Sequence, residues 1–231
     1  MSQNRSSAVM QQRREPHDSL EDFPTPPWAT RALCHLCEWI GGLPPDQADC
    51  RDPAANRGYM VYALREFFAT VHAADIHDYG AGFAVEDYLF GPLPSKVDWT
   101  ITNPPFRLAE QFIERACETS TVGVGMFVRT SFLEGEGRFK RLFRKNPPTH
   151  VLQFAERVVI HKGRIVDPDV KERVWSEKKG DWIMKKPSTA TSYCWLVWET
   201  NNRLPPKFGW IPPCRKRLTL PGDYSLPVGR R

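Results

Sequence analysis

What the chain lacks narrows its reading first. Its 231 residues contain no run of about 18 uncharged apolar residues, so no membrane-spanning helix is expected. Residues 1–22 are polar and carry no apolar segment of the signal-peptide kind; they are expected to form a disordered lead-in. No internal repeat is visible, which excludes solenoid and propeller architectures. Cysteine is not arranged as a framework: the six thiols are scattered at positions 34, 37, 50, 117, 194 and 214. Cys34-His35-Leu36-Cys37 has CxxC spacing but lies inside a helical pattern with no second ligand pair nearby. It reads as packing rather than as a zinc site, and no metal is expected. Reduced thiols fit a cytoplasmic protein.

What is present suffices for a sizeable core. Hydrophobic residues make up 41% of the chain and aromatics 12%, enough for one large domain or one domain with an insertion. The net charge of +5 hides an asymmetry. Residues 1–120 carry 10 Lys/Arg against 17 Asp/Glu, a balance of −7, whereas residues 121–231 carry 22 against 10, a balance of +12. A swing of this size points to a polyanion, such as nucleic acid, meeting the second half of the chain.

Hydrophobic periodicity alternates between helix and strand. Helices are expected at 28–40 (ended by Gly41-Gly42), 59–68, 107–119 and 131–145, the last stopped by Pro147-Pro148. Strands are expected at 48–52, 70–74, 97–102, 121–128, 150–155 and 191–199, with a short element at 85–90. Residues 165–187 are polar and read as an irregular loop or insertion. The remainder is Pro-rich with a basic knot at Arg215-Lys216-Arg217. Alternating strands and helices imply a doubly wound α/β sheet, mixed but mostly parallel, with helices on both faces. Ligands of such sheets sit outside the carboxyl ends of strands. Asp52, Asp75 and Asn103 each fall at an expected strand end, so all three are expected to face one crevice.

Asn103-Pro104-Pro105-Phe106 is the most informative stretch. Two prolines at a strand end can neither extend the ladder nor start a helix in the ordinary way. They set a stiff turn with a side-chain amide before it and a ring after it. Such a turn can offer an amide oxygen and a backbone carbonyl side by side, with an aromatic face nearby. That suits a planar group bearing an NH2.

Four features stand in the order found in the gamma-type N6-adenine DNA methyltransferases. Thr25-Pro26-Pro27 before a helix resembles their N-terminal cofactor motif. Asp52-Pro53-Ala54-Ala55-Asn56-Arg57-Gly58 resembles the (D/E)-P-x-x-G-x-G loop after the first strand. Asp75-Ile76 resembles the acidic residue ending the second strand, and Asn103-Pro104-Pro105-Phe106 the catalytic motif ending the fourth. Glu86-Asp87-Tyr88-Leu89 fits the acidic segment that contacts the cofactor's adenine. The stretches Asp75-Ile76-His77-Asp78-Tyr79-Gly80 and Ser188-Thr189-Ala190-Thr191-Ser192-Tyr193 are similar to text in small phage and prophage adenine methylases. The resemblance covers about residues 23–199.

It implies a Rossmann-like class I methyltransferase domain over 23–200, a basic insertion at about 160–187 and a Pro-rich basic extension over 201–231. It implies S-adenosylmethionine as cofactor, held by Thr25, Pro26, Asp52, Ala54, Gly58, Asp75, Ile76, Asp87 and Tyr88. Of these, Asp75 would take the ribose hydroxyls, Asp87 the adenine amine and Thr25 the methionine carboxylate. Asn103, Pro104, Pro105 and Phe106 would carry catalysis, with Phe106 stacking on an adenine flipped out of DNA. Asn56 departs from the pattern by replacing the first glycine of the loop, but Asn tolerates left-handed backbone better than most residues. Lys162, Arg164, Lys178, Lys179, Lys185 and Lys186, interleaved with Trp175 and Trp182, would grip phosphates. RNA adenine-N6 methylation, protein glutamine-N5 methylation and a non-catalytic nucleic-acid-binding module on the same fold are the rivals. A glutamine-N5 enzyme usually carries Tyr at the last motif position.

Overall fold

Strand β5 (Ser120–Arg129) shows how the sequence sorts itself around the sheet. Val124, Met126 and Val128 point to one face, where they pack with Phe112, Ile113 and Ala116 of helix α3 (Ala109–Thr119). The period of two sends Phe127 to the opposite face. There it joins Trp28 and Leu33 of α1 (Pro27–Cys37), Met60 and Leu64 of α2 (Tyr59–Leu64), Trp99 and Ile101 of β4 (Val97–Thr102), and Trp195 and Val197 of β9 (Tyr193–Glu199). Two apolar cores thus sandwich one sheet. Each large side chain in them contributes about 1.5–3 kcal/mol relative to exposure. The glycines that lace β5 make room for the second core: a Cβ on Gly123 would come within 2.5 Å of the Trp99 ring, and one on Gly125 within 2.7 Å of Leu33.

The computed structural model describes residues 20–37, 45–200, 202 and 204–225. The remaining strands are β1 (Asp49–Asp52), β2 (Thr70–Asp75), β3 (Ala84–Val85), β6 (His150–Phe154), β7 (Glu172–Ser176), β8 (Asp181–Lys185) and β10 (Lys207–Ile211). Two short helices, α4 (Glu136–Arg138) and α5 (Arg215–Leu218), complete the described elements. The main sheet has the order β10-β6-β9-β5-β4-β1-β2-β3. Strands β3, β2, β1, β4 and β5 run parallel, and β9 runs antiparallel between β5 and β6. From β1 the chain winds outward through β2 to β3, then returns to β4 on the other side. The crevice of a doubly wound sheet opens at that reversal, beyond the carboxyl ends of β1 and β4.

Local signals explain the helices. Pro27 opens α1, where its missing N–H costs nothing and its fixed φ suits the first turn. In α3, Ala109, Phe112, Ile113 and Ala116 recur at helical spacing and all are buried. The residues after Leu64 close as tighter i→i−3 turns, Glu66 N–H to the Ala63 carbonyl and Phe67 N–H to that of Leu64, so α2 is shorter than the expected 59–68 helix. The helix expected over 131–145 is broken. A 3₁₀ turn at Thr130–Leu133 is interrupted at Gly135, whose φ is 108°, before α4 runs into a π-helical turn over Phe139–Phe143.

Three expectations change. Residues 172–185 form an antiparallel β7–β8 hairpin rather than an irregular loop. Residues 204–225 are no appendage, because β10 pairs in parallel with β6 and closes one edge of the sheet. Residues 20–22 do not belong to a lead-in: the buried segment that follows them ties them to the sheet, as described below. Residues 1–19, and the expected helix end and glycine break at 38–42, lie outside the described residues.

A buried cation fastens the C-terminal segment. Arg31 on α1 donates to both oxygens of Glu66, at 2.7 Å each, and to both oxygens of Asp223, at 2.6 and 2.9 Å; it also donates to the Leu218 carbonyl. Burial by itself would lower the guanidinium pKa, but the bonds to Glu66 and Asp223 outweigh it and the net shift is upward. Removing one partner of such a pair typically costs about 3–5 kcal/mol, because the other charge stays buried. Asp223→Ala is therefore expected to lower the urea midpoint by an amount on that scale, with an unchanged m-value. A midpoint equal to wild type would show that the C-terminal segment contributes no stability.

Candidate active site

The carboxyl ends of β1, β2 and β4 border one cavity of about 270 Å³. Thr25, Ala54, Asp75, Ile76, Asp87, Tyr88, Asn103 and Pro105 line it, so eight of the thirteen expected cofactor and catalytic residues come together. Asp52, Gly58, Pro26, Pro104 and Phe106 do not reach its wall. Further wall residues went unassigned in the sequence: Phe23, Tyr59, Tyr79, Leu108 and Phe112 among them. The mouth is apolar, with Ile76 62% and Phe90 80% exposed. An exposed apolar rim around polar groups is the usual mark of a ligand site.

Asn103 follows β4 directly. Its amide nitrogen donates to the Phe23 carbonyl at 2.9 Å and to the Thr25 hydroxyl at 3.0 Å. A carbonyl can only accept, so the atom facing Phe23 must be the NH2 and the side-chain orientation is fixed. Oδ1 is then turned away, buried, and without a partner among the described residues. Next to it, the Pro105 carbonyl accepts from Leu108 N–H, whereas no backbone N–H donates to the Pro104 carbonyl among the described residues. Two acceptors with spare lone pairs thus stand on consecutive residues. Thr25 is buried and accepts from Asn103, which leaves its own hydroxyl proton to donate.

Phe106 is half-buried and differs from the expected open platform. The Arg129 guanidinium carbon lies 4.0 Å over its ring centroid, and the Phe23 ring lies 5.4 Å away, tilted by 42°. One ring face is therefore covered by a cation.

The three expected carboxylates sit in three environments. Asp52 is fully buried beneath the loop: Oδ1 accepts from the Thr102 hydroxyl at 2.7 Å and from Ala54 N–H at 3.3 Å, while Oδ2 has no partner among the described residues. It ties the ends of β1 and β4 and holds the loop from below, which is why it fails to line the cavity. Burial pushes its pKa up to about 7, against the Thr102 and Ala54 bonds. Asp75 lines the cavity and accepts one backbone N–H on each oxygen, from Asn56 at 2.8 Å and His77 at 3.0 Å. Each oxygen retains a lone pair for a hydroxyl. Asp87 is exposed and accepts from Leu89 and Phe90 N–H through Oδ1 only. Tyr88 presents its ring to the cavity, its hydroxyl lying 3.4 Å from Thr119 Oγ1 and so engaged elsewhere.

Between β1 and α2 the loop turns on two positive φ values, 50° at Asn56 and 88° at Gly58. Asn56 adopts the left-handed conformation in which the related motifs carry glycine, and its Oδ1 accepts from Arg57 N–H. Gly58 was expected to let the backbone approach a ligand. It instead caps α2, and a Cβ there would strike Phe83 at 2.8 Å and Tyr62 at 2.9 Å. Asp22, which the sequence left in the lead-in, accepts from Asn56 Nδ2 and pairs with Arg57 at 2.7 Å. Tyr79 lies under the Arg57 guanidinium at 4.9 Å. The signals for these residues were present, an acidic pair before Phe23 and an aromatic inside the 75–80 stretch, but nothing in local pattern ties either to the loop.

The fold has counterparts among solved structures. A Listeria monocytogenes protein assigned to the class I S-adenosylmethionine-dependent methyltransferases matches over 83% of this chain and 66% of its own, with a TM-score of 0.56 at 12% identity. A Vibrio vulnificus protein assigned as the modification subunit of a type I restriction enzyme matches over 87% of this chain and 49% of its own, with a TM-score of 0.53 at 14% identity. The methyltransferase subunit of a type I restriction-modification system from Streptococcus thermophilus matches over 80% and 46%, with a TM-score of 0.53 at 10% identity. The chain has the class I methyltransferase fold. It spans about half the length of the two restriction-system subunits. No protein-family model matches the chain, and no curated protein matches it by sequence.

The expected phosphate-gripping residues divide in two. Arg164 donates to both oxygens of Glu172 at 2.6 Å, and Lys186 lies 3.5 Å from Asp169, so these two cations are held by acids. Lys178 and Lys179 sit at the turn of the β7–β8 hairpin, and exposed Lys185 ends β8. Lys162 precedes the hairpin. Trp175 pairs directly with Trp182, and Arg173 with Met184, so these four share one hairpin face. Both tryptophans are about half exposed (53% and 51%), and Arg173 lies 5.1 Å over the Trp182 ring.

The Asp52 carboxyl has a pH consequence. Its folded pKa of about 7 lies above the unfolded value of 3.8, so the native state binds more protons than the unfolded chain between them. Stability is then expected to fall as pH rises from about 4 to about 7, and to level off above. The single-group effect is at most on the order of 4 kcal/mol. Asp52→Asn should flatten this slope in urea titrations run across that range; an equally steep slope in the variant would assign the effect to other groups.

Proposed function

We propose that this protein transfers a methyl group from S-adenosylmethionine to the exocyclic N6 amine of an adenine in DNA. The single observation that carries the reading is Asn103 Oδ1: a buried, unpartnered acceptor, fixed in orientation, in the wall of a cavity that also contains Asp75 and Asp87. The residues present fit the cofactor. Asp75 would accept from the ribose hydroxyls and Asp87 from the adenine amine, while the rings of Tyr88 and Phe90 and the side chain of Ile76 would enclose the base. Thr25 would donate its free hydroxyl proton to the methionine carboxylate. The bound cofactor supplies an electrophilic methyl group on a cationic sulfur.

The chain's own part in the chemistry is to prepare the amine. The lone pair of an exocyclic amine is delocalised into its ring. Acceptance of the two N–H protons by Asn103 Oδ1 and the Pro104 carbonyl draws the nitrogen towards sp3 geometry and frees that lone pair for attack. A carboxamide cannot take a proton near neutral pH, so Asn103 orients the amine and stabilises the charge that develops on it. The proton lost by the amine passes to solvent. A base inside a duplex cannot reach an acceptor buried in a crevice, so the target must be extruded or single-stranded. Support for DNA comes from the basic second half of the chain, from Lys178 and Lys179 beside two exposed tryptophans, and from the fold shared with two restriction-system subunits.

Two experiments test the reading. Asn103→Ala removes the acceptor and also releases Phe23 and Thr25. Single-turnover methylation at saturating cofactor is expected to fall about 10²–10³-fold, with cofactor affinity weakened no more than about tenfold. Digestion of labelled DNA, RNA and protein after reaction identifies the acceptor. Label in N6-methyladenosine from RNA, or on glutamine, would overturn the DNA assignment, and wild-type turnover in Asn103→Ala would make the motif a structural turn. Separately, neutralising Lys178 and Lys179 is expected to reduce the slope of log K against log salt on duplex DNA by up to about two. An unchanged slope would move the phosphate contacts off the hairpin.

A further inference from the structure

Arg129 ends β5, the strand next to β4, and it stands beside the candidate catalytic turn. Thr102, immediately before Asn103, pairs in register with Met126, three residues short of Arg129. The Arg129 guanidinium lies 4.0 Å over Phe106 and 5.6 Å from the Phe23 ring. Several arginines near the crevice and its flanks are already engaged: Arg115, over the Tyr88 ring, donates to the backbone carbonyls of Leu89, Gly91 and Pro92. Arg57 is paired with Asp22, Arg107 with Glu21, Arg138 with Glu110 and Arg164 with Glu172. Arg129 meets no carboxylate among the described residues. It shares a hydrogen bond with the buried Tyr193, and its Nε–H is buried without an acceptor. A partly exposed cation kept free of acids, with a donor unsatisfied, is arranged for an anion that the protein itself does not supply.

We propose that Arg129 is a positioning residue that receives the phosphodiester flanking the target base, anchoring the nucleotide while Asn103 holds its amine. The proposal rests on the function proposed above and adds the phosphate contact that fixes register. Stacking on Phe106 pre-orders the guanidinium plane, so little side-chain freedom is lost when the phosphate arrives. The Arg129 fork then replaces a missing carboxylate with two phosphate oxygens. The covered face of Phe106 also acquires a reason. The ring serves as the seat of the cation on that side, and the target base is held by the Asn103 acceptors.

The test uses the full chain with a fluorescein-labelled 20-mer of duplex DNA of random sequence, the matching RNA 20-mer, and S-adenosylmethionine. Arg129→Met keeps an apolar stem over Phe106 and deletes the charge. It is expected to lower the salt slope of DNA binding by about one and to raise KM for the oligonucleotide about tenfold, with cofactor affinity by calorimetry unchanged. Arg129→Lys should keep the slope while losing the planar fork. If Arg129→Met fails to bind cofactor, Arg129→Gln carries the same readouts. A folded neutral variant with wild-type slope and KM would overturn the proposal and leave Arg129 as a clamp on Phe106. A slope that changes on RNA alone would overturn the DNA assignment. A slope that falls while the wild type methylates no adenine would sink the proposed function, and with it the placing of Arg129 beside a target base, and leave only its phosphate contact.

Discussion

The side-chain amide of Asn103 is gripped by its nitrogen, and the geometry of the cavity follows from that grip. Phe23 and Thr25 supply the acceptors, so the strand-end turn and the segment before α1 hold each other in place. The cost is an amide oxygen left buried without a partner, worth about 1–3 kcal/mol of desolvation. A protein that only needed a turn here would have no use for that arrangement. A ligand that donates a hydrogen bond at this point recovers the cost on binding, and one that lacks a donor does not. The same asymmetry would favour an N–H donor at this point.

Electrostatics in the crevice are graded by burial rather than by residue type. Asp52, Asp75 and Asp87 are chemically identical, yet one is sealed below the loop, one is half-satisfied by backbone amides at the wall, and one is exposed at the rim. Burial raises the pKa at Asp52 first and foremost, and at Asp75 against its two backbone bonds. A carboxyl at the deepest position is held back from ionising, which limits the negative charge beneath the cavity. The carboxylates with lone pairs left for further hydrogen bonds are Asp75 and Asp87, nearer solvent.

Periodicity made the sheet legible. Strands β5 and β9 alternate between two cores, and their apolar residues announce both faces, while β4 alternates Trp99 and Ile101 with threonines; Asp75 and Asn103 stand at strand ends as expected. What escaped was set by distant contacts. Alternation in 172–185 was masked by charge, because a two-stranded ribbon exposed to solvent needs no apolar face of its own. β10 looked like part of a Pro-rich tail, since its two largest residues, Phe208 and Trp210, face outward at the sheet edge and give no core signal. Asp52 and Gly58 were expected at the ligand because their motif is a ligand motif. In the fold Asp52 holds the loop through Ala54 N–H and Gly58 caps α2, roles that spacing alone cannot separate from contact.

Residues 20–25 show why the cavity wall could not be read from the sheet alone. Leu20, Glu21, Phe23, Pro24 and Thr25 all line it, although they precede the first βα unit. Asp22 fixes this strap at both ends of the site. Its carboxylate holds Asn56 and Arg57 of the loop between β1 and α2, and its backbone carbonyl accepts from Gly163 N–H at 2.8 Å, at the approach to the hairpin. The loop that would embrace a cofactor and the segment leading to the basic hairpin are thereby joined through one residue. A doubly wound sheet leaves its crevice open on one side. Here the strap closes that side, and because Asn103 pins the strap, the residue proposed to meet the target also helps to set the shape of the cavity behind it.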